Sequence, residues 1–218
     1  MTSIELFTFW NKVNRLEHDN VVISSAYVQI DNFLSTAEAN QLLNMAVLKE
    51  PLFEPAQAKT EYLIANNVML LRRHQFPEVV EWLSDRIHCI LPTVMAQLKV
   101  ADFAITRTEM QLIASQDGAY FQRHLDQHPH DSRKTRKLSY IYYLHQQPKP
   151  FSGGELLLYD SKIAAGCYET AESFKAIAPR HNSIVFFHSR NAHEVKPVSC
   201  PSKQFKDSRF AINGWIHR

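Results

Sequence analysis

The sequence predicts an α+β protein in which a helix-rich N-terminal part packs against a β-rich C-terminal part. Before residue 100, most apolar residues recur at helical spacing. After it, short apolar or alternating runs follow one another with turn residues between them, which is typical of a sandwich or a barrel. The chain has 218 residues, 45% of them hydrophobic, and no linker or repeat. One domain is therefore expected, with residues 1–100 as support and residues 101–218 as the β-rich core.

The first part of the chain is expected to contain a helix, a strand and a second helix. A loosely amphipathic pattern predicts a helix over residues 4–16, and the run Val21–Ile30, rich in β-branched residues, predicts a strand. Ser35 and Glu38 match a capping box, which predicts a helix that continues to about Leu48. Its expected buried residues are Leu42, Leu43, Met45, Ala46 and Leu48.

A loop, a strand and a long helix are expected next. Two prolines indicate a loop over residues 50–59, and the apolar run at residues 62–71 predicts a strand. Pro77 suits the first turn of a helix, because its missing N–H would be unpaired there in any case. The apolar spacing predicts this helix over residues 78–98, with Pro92 expected to kink or split it.

The second half of the chain reads as a series of strands. A Gly-Gly pair at Gly153 and Gly154 indicates a tight turn between two of them. The predicted strands cover residues 103–114, 120–127, 138–145, 155–159, 174–178, 183–188, 194–198 and 210–217.

Charge and composition argue against several classes of protein. The formal charge of +2 does not suggest a nucleic-acid binder. No apolar run approaches the roughly 20 residues of a membrane span, and the first residues lack the pattern of a secretory signal. Cys89, Cys167 and Cys200 are odd in number and scattered, which favours reduced thiols and a cytoplasmic location. The sequence does not indicate an oligomeric state.

A His-x-Asp pair is the centre of the predicted site. In an extended strand, residues two apart point to the same face, so His124 and Asp126 can offer a nitrogen and an oxygen to one point. A second imidazole from His193 completes a triad of two His and one carboxylate, the set used by non-haem Fe(II) oxygenases. His188 is a rival for that third position, but His193 has the more specific setting, His193-Glu194-Val195-Lys196-Pro197-Val198.

Arg209 is the candidate anchor for a dicarboxylic cosubstrate. Its planar guanidinium matches a carboxylate with two parallel hydrogen bonds. Arg209, Ala211, Asn213 and Trp215 alternate onto one face of the last predicted strand, so Arg209 can point inward beside a small residue. The basic run at residues 133–137 is either a solvated face or a substrate-facing loop that prefers an acidic partner.

These motifs, in this order, resemble the Fe(II)/2-oxoglutarate dioxygenases of the prolyl 4-hydroxylase group over residues 103–218. The resemblance implies a double-stranded β-helix core (jelly-roll, cupin-like) with N-terminal supporting helices. It also implies Fe(II) as cofactor, 2-oxoglutarate and O₂ as cosubstrates, and ascorbate as a further candidate. The matching strings are His124-x-Asp126, Ser139-Tyr140-Ile141-Tyr142-Tyr143-Leu144, Ser152-Gly153-Gly154-Glu155-Leu156, His193-Glu194-Val195-x-Pro197 and Arg209-x-Ala211-Ile212-x-x-Trp215.

The resemblance also implies a role for each matching residue. His124, Asp126 and His193 would bind and activate the metal, and Arg209 would bind the distal carboxylate of 2-oxoglutarate. The Tyr143 hydroxyl would support that carboxylate. Leu156 would form an apolar wall of its pocket. Arg136 and Trp215 would lie beside the substrate. The family often has a further tyrosine in the cosubstrate pocket, and Tyr120 is the candidate for that position in this chain. Tyr120 is also the third residue expected near the substrate.

Several alternatives stay open. The turn at residues 199–207 is longer than the family usually shows, so Lys203 or Lys206 could replace Arg209 as the clamp. The family makes a prolyl residue of a peptide or protein the first expectation for the substrate, with a free amino acid or a small secondary metabolite second. A non-catalytic protein that binds metal or 2-oxoglutarate is the alternative outside enzymes. Asp126 argues against a halogenase, and the absence of a second arginine after Arg209 argues against a nucleic-acid demethylase.

Overall fold

The computed structural model describes residues 21–56, 59–60, 63–164 and 167–218. The helix predicted over residues 4–16 lies outside this part. Two α-helices are present in it, α1 (Thr36–Leu48) and α2 (Pro77–Gln97). The strands are β1 (Val22–Ile23), β2 (Tyr27–Asp31), β3 (Glu54–Pro55), β4 (Lys59–Thr60), β5 (Leu63–Arg72), β6 (Arg107–His124), β7 (Arg136–Leu144), β8 (Ser152–Gly153), β9 (Leu156–Ala164), β10 (Cys167–Ile177), β11 (Ser183–His188), β12 (His193–Val195), β13 (Val198–Ser199) and β14 (Arg209–His217).

The start of α1 and the position of α2 are as predicted, with two differences in detail. Ser35 accepts a hydrogen bond from the Glu38 N–H, and Glu38 accepts one from the Ser35 N–H, so the capping box is formed. Leu48 was expected in the core but is 81% exposed, because it is the last helical residue and lies off the buried face. Pro92 does not split α2, which continues to Gln97. None of the helices in the described ranges is long and apolar enough to span a membrane.

Two predicted strands, over residues 103–114 and 120–127, are one strand in the structure. β6 continues through Gly118, which has φ +76°. The pairing of β6 with β5 shifts register there, between Asn66 and Val68, and Asn67 donates a hydrogen bond to the Asp117 carbonyl at 3.0 Å. The glycine therefore produces a bulge within a strand, where the sequence pattern indicated a turn.

The antiparallel strands form two layers that share β6. One layer has the order β2-β11-β7-β14-β6, and the other joins β9 and β10 to the end of β6 through β12. The pairing of β6 with β14 ends at Ser115, and its pairing with β12 begins at Phe121. The sheet thus folds over along β6 and encloses an interior, as in a jelly roll.

Strand alternation separates two hydrophobic cores. On β7, Tyr140, Tyr142 and Leu144 face the helices, whereas Ile141 and Tyr143 face the interior between the two layers. The same alternation on β11 and β14 lines the interior with apolar side chains from both layers. The main members of this interior core are Ile113, Ile141, Tyr143, Leu156, Leu158, Val185, Phe187, Val195, Val198 and Ala211.

Candidate metal centre and its adjoining pockets

His124, Asp126 and His193 come together at one end of the interior. One ligating atom from each residue lies within 4.8 Å of the other two. The Asp126 carboxylate is 3.7 Å from His124 Nε2 through Oδ1 and 3.4 Å from His193 Nε2 through Oδ2. The two imidazoles meet because β12 pairs with β6 and places His193 directly opposite His124. Among the described side chains, no other group of three or more His, Cys, Asp or Glu residues comes close enough together to hold a metal ion.

Asp126 reaches this point from a bend and not from the strand that carries His124. β6 ends at His124, and the N–H groups of Asp126 and Gln127 both donate to the Ser189 carbonyl, at 3.2 and 2.9 Å. The carboxylate also accepts a hydrogen bond of 2.6 Å from the Ser139 hydroxyl, which is 3.0 Å from the Ser189 hydroxyl. The grouping follows the sequence expectation, but same-face strand geometry is not its cause.

Backbone carbonyls orient both imidazoles. His124 Nδ1 is 2.7 Å from the Gln122 carbonyl, and His193 Nδ1 is 2.9 Å from the Asn191 carbonyl. A carbonyl only accepts hydrogen bonds, so each Nδ1 carries a proton, and in a neutral ring the lone pair lies on Nε2, which faces the shared point. This is the outer hydrogen bonding that fixes histidine ligands in metal sites.

The ionisation of the triad also suits a cation. Burial, followed by the nearby charge of His193, lowers the pKa of His124 to about 4, so this imidazole is neutral at pH 7. Burial raises the pKa of Asp126, but the two imidazoles, Ser139 and Trp215 more than offset it, and the pKa is lower than usual. Two imidazoles and one carboxylate are the donor set that divalent iron takes in facial triads. The residues therefore fit Fe(II).

The other histidines near the motif do not join this group. His188, the rival ligand, has Nε2 3.1 Å from the Leu98 carbonyl, on the helix side of the sheet. His128 and His130 pack against each other with ring centroids 5.7 Å apart, and His128 lies 3.6 Å from Asp131. The choice of His193 over His188 agrees with the geometry.

A cavity of about 890 Å³ opens beside the triad. Strand faces of both layers contribute to its wall, and so does the loop that follows β6. The residues that border it include Gln111, Phe121, Arg123, Leu125, Arg133, Arg136, Ile141, Asn213 and Trp215 as well as the three candidate ligands. Of the residues expected near the substrate, Arg136 and Trp215 are in this wall, whereas Tyr120 is not; its neighbour Phe121 takes that place.

Arg136 and Trp215 form one unit in the cavity wall. The guanidinium carbon of Arg136 is 3.8 Å from the centroid of the Trp215 ring. Its Nη2 donates to Glu109 at 2.5 Å, and its Nη1 donates to the Asp126 carbonyl at 3.3 Å. Arg136 Nε is buried with no partner in the described part of the chain. One donor of this side chain is therefore uncommitted.

Arg209 lies deeper in the interior and is 1% exposed. Its guanidinium carbon is 4.9 Å from the centroid of the Tyr143 ring. Arg209 Nε and Nη2 and the Tyr143 hydroxyl are buried, and none has a hydrogen-bond partner among the described residues. Burial lowers the pKa of Arg209 and raises that of Tyr143. Leu156 is fully buried in the same core.

A carboxylate fits between these unpaired groups. A buried cation without a partner is costly, whereas a bidentate carboxylate would satisfy two of the guanidinium donors at once. Lys203 and Lys206, the alternative clamps, are both exposed on the turn before β14. The buried donors at Arg209 and Tyr143 therefore match one end of a dicarboxylic acid, and the triad matches a metal.

Several residues that shape the site were not predicted from the sequence. Ser139 holds Asp126, and its position two residues before Ile141 on an alternating strand was the available signal. Ser115 pairs with Arg209 across β6 and β14, and its buried hydroxyl has no partner in the described chain. A side chain at Gly154 would place a Cβ 2.6 Å from Arg209 Cδ, so this glycine makes room for the arginine as well as a turn.

The fold and the triad together define a jelly-roll oxygenase, and comparison with known proteins agrees. Residues 110–217 match the family model of the 2OG-Fe(II) oxygenase superfamily. An uncharacterized PKHD-type hydroxylase of Synechocystis is 36% identical over 204 residues, which are 93% of this chain and 66% of that protein. The chain thus spans about two thirds of the length of this relative.

Solved structures show the same fold. A prolyl-4-hydroxylase of Pseudomonas putida superposes with a TM-score of 0.63 at 20% identity, covering 89% of this chain and 93% of that one. A prolyl hydroxylase of Trichoplax adhaerens, in complex with a peptide fragment of hypoxia inducible factor, gives 0.62 at 19% identity, covering 100% and 94%. The chain belongs to the 2OG-Fe(II) oxygenase superfamily and has a fold of prolyl 4-hydroxylase type. The predicted family and the predicted double-stranded β-helix are confirmed.

Proposed function

We propose that this protein is an Fe(II)- and 2-oxoglutarate-dependent dioxygenase that hydroxylates a C–H bond of a prolyl residue in a peptide or protein. The observation that carries the proposal is the convergence of two imidazole nitrogens and one carboxylate within 4.8 Å, at the edge of a cavity of about 890 Å³. Bound iron, with 2-oxoglutarate and O₂, would supply the oxidising chemistry. The chain's own residues orient the substrate and exclude water.

In this proposal, Arg209 and Tyr143 hold the distal carboxylate of 2-oxoglutarate, and Leu156 forms an apolar wall. The unpaired donors of Arg209 and the unpaired hydroxyl of Tyr143 support these roles. Ile141 on β7 and Asn213 on β14 line the cavity. Tyr143 lies two residues from Ile141, and Arg209 lies four residues from Asn213, so each is on the same strand face as its cavity-lining neighbour. The proposed 2-oxoglutarate site therefore lies on the same strand faces as the residues that line the cavity at the metal end.

Arg136 and Trp215 are proposed to contact the substrate at the cavity wall. Arg136 has an uncommitted Nε–H for a substrate carbonyl, and Trp215 offers an aromatic edge to a prolyl ring. Tyr120, outside the wall, stays a weaker candidate. The cavity volume is near the upper end of the roughly 300–1,000 Å³ range of small-molecule sites, which favours a peptide segment over one free amino acid. The peptide bound to the Trichoplax relative agrees with this choice.

A free amino acid or a small secondary metabolite is the second candidate substrate. Arg136 Nε–H would bind a free carboxylate more strongly than a neutral carbonyl, which is the observation in its favour. Both candidates place the protein among enzymes, in contrast to a non-catalytic metal- or 2-oxoglutarate-binding protein. A cytoplasmic location and a role for ascorbate stay predictions from the sequence.

The test is turnover with defined substrates. Fe(II)-loaded protein is incubated with 2-oxoglutarate and O₂ and with either proline-containing peptides or free amino acids. Succinate release and the gain of one oxygen atom by the substrate are followed by mass spectrometry. We expect hydroxylated peptide. Hydroxylation of free amino acids alone would exclude the peptide proposal, and binding of 2-oxoglutarate without any succinate would favour the non-catalytic alternative.

A further inference from the structure

Three arginines border the cavity, and two of them already have partners within the protein. Arg133 makes a bidentate pair with Asp131, with Nε–Oδ1 and Nη2–Oδ2 distances of 3.1 and 2.6 Å. Arg136 is held by Glu109 and stacks on Trp215. The positive charge of both guanidinium groups is therefore balanced inside the cavity wall.

Arg123 differs from these two. It immediately precedes the candidate ligand His124 on β6, lines the same cavity and is exposed. Its guanidinium carbon lies 4.7 Å from the centroid of the Tyr159 ring. Within the described residues, no carboxylate forms an ion pair with Arg123.

Two acidic side chains interact with Tyr159, the ring that Arg123 contacts. Burial raises the pKa of Tyr159, and the nearby carboxylates of Glu194 and Glu172 raise it further. Glu194 lies 3.8 Å from Lys196, and neither glutamate is within 4 Å of Arg123. Contact with Tyr159 covers one face of the guanidinium, while its N–H groups point outward from its edge and stay free.

The surroundings of Arg123 combine this charge with apolar surface. Leu125, between the two ligands of the His-x-Asp pair, is 43% exposed, and Phe121 lines the cavity on the same strand. A substrate that fits both features has an apolar part and an anionic group.

We propose that Arg123 binds a carboxylate of the substrate at the cavity wall, so that the preferred substrates of this enzyme carry an acidic group. The proposal rests on the proposed function and narrows its substrate class. The carboxylate could be an acidic side chain in a peptide or the α-carboxylate of a free amino acid. Contact with the Tyr159 ring restricts the Arg123 guanidinium before the substrate binds. Arg123 therefore loses less conformational entropy on binding a carboxylate than a mobile arginine would.

The test compares probes that differ only in one charge. Proline-centred pentapeptides with a flanking Glu are paired with the same peptides carrying Gln, and free amino acids are paired with their amides. For wild-type protein we expect kcat/KM for the acidic member to exceed that of its neutral counterpart about tenfold or more. Arg123→Gln should reduce this ratio to near one, and Arg123→Lys should retain part of it. Arg133→Gln, which removes a charge already paired with Asp131, should leave the ratio intact.

A binding measurement separates this proposal from the proposed function. The same probe pairs are titrated calorimetrically into metal-free wild-type and Arg123→Gln protein, where no turnover occurs. Tighter binding of the acidic members that depends on Arg123 supports the proposal even when no probe is hydroxylated. Equal affinity for acidic and neutral members, or a preference that survives in Arg123→Gln, overturns it. Turnover of both members at equal rates would overturn it while leaving the dioxygenase assignment in place.

Discussion

The two ends of the interior differ in whether their polar groups have hydrogen-bond partners within the described protein. At the metal end, each candidate ligand is held by the protein: backbone carbonyls accept from both histidines, and Ser139 donates to Asp126. At the deep end, Arg209 Nε and Nη2, the Tyr143 hydroxyl and the Ser115 hydroxyl have no hydrogen-bond partner among the described residues.

This difference matches the two ligands proposed for the site, a metal at one end and a carboxylate at the other. A metal needs ligands that are fixed in number, tautomer and direction, so the fold supplies their outer hydrogen bonds in advance. A carboxylate can be bound only by donors that are free, and buried free donors destabilise the protein until the ligand arrives. We therefore expect the metal end to be sensitive to the loss of supporting groups, and the deep end to tolerate such losses when 2-oxoglutarate is absent.

The largest effect is expected at the metal end. Asp126→Ala removes the only carboxylate of the triad, so hydroxylation and 2-oxoglutarate turnover should fall below detection while the β-structure is retained. Succinate formation and circular dichroism check the two halves of this expectation. Asp131→Ala, a change at another carboxylate of the same cavity, is the control and should remain active. Hydroxylation by Asp126→Ala at the wild-type rate would show that Asp126 is not a ligand.

The next effect is expected at the deep end. Losing a buried charge-assisted pair costs roughly 2–5 kcal/mol, so Arg209→Ala should raise the 2-oxoglutarate concentration needed for half-maximal rate by about 30-fold or more. Lys203→Ala and Lys206→Ala are matched controls, since both lysines are exposed, and they should leave this concentration unchanged. A large loss in either lysine variant, with Arg209→Ala unaffected, would move the clamp to the turn before β14.

The same substitution at each end tests the comparison directly. Ser139→Ala removes the donor to Asp126 and should weaken Fe(II) binding on the order of 10-fold, measured by anaerobic titration. Ser115→Ala removes a hydroxyl that has no partner in the described structure and should leave Fe(II) affinity unchanged. Without 2-oxoglutarate, the free energy of unfolding of Ser115→Ala should be equal to or above that of wild type, because an unsatisfied buried group is lost. A clear destabilisation of Ser115→Ala would contradict the view that the deep end is under-satisfied.

The smallest effect concerns the room made for Arg209. Gly154→Ala would bring a methyl group to 2.6 Å from Arg209 Cδ at a φ of +72°, so it should both destabilise the fold and weaken 2-oxoglutarate binding several-fold. Gly118→Ala is a matched control with a similar φ of +76° and only one neighbour, Asn67 Nδ2 at 3.6 Å. It should show the backbone cost, about 1 kcal/mol, with unchanged 2-oxoglutarate binding. If the two variants bind 2-oxoglutarate equally well, Gly154 is only a turn residue.

Local patterns were enough to predict much of the fold. The capping box of Ser35 and Glu38 involves contacts between near neighbours, so it could be recognised without tertiary information. The alternation along β14 placed Arg209 on the inner face, and the structure buries it there. The break expected between residues 114 and 120 was wrong, because the positive φ of Gly118 serves a turn or a bulge equally well and only the pairing with β5 decides between them.

The sequence by itself determined the ordered motifs, the residue types at the candidate site and the two-residue periodicity that turns them inward, because these depend on neighbours along the chain. Only the tertiary structure decided which polar groups would be satisfied. Ser189, far along the chain from Asp126, holds the bend that carries this carboxylate, and Arg209 Nε and Nη2 meet no acceptor among the described residues. Such pairings join distant segments, so they follow from how the layers close over one another and not from the order of residues.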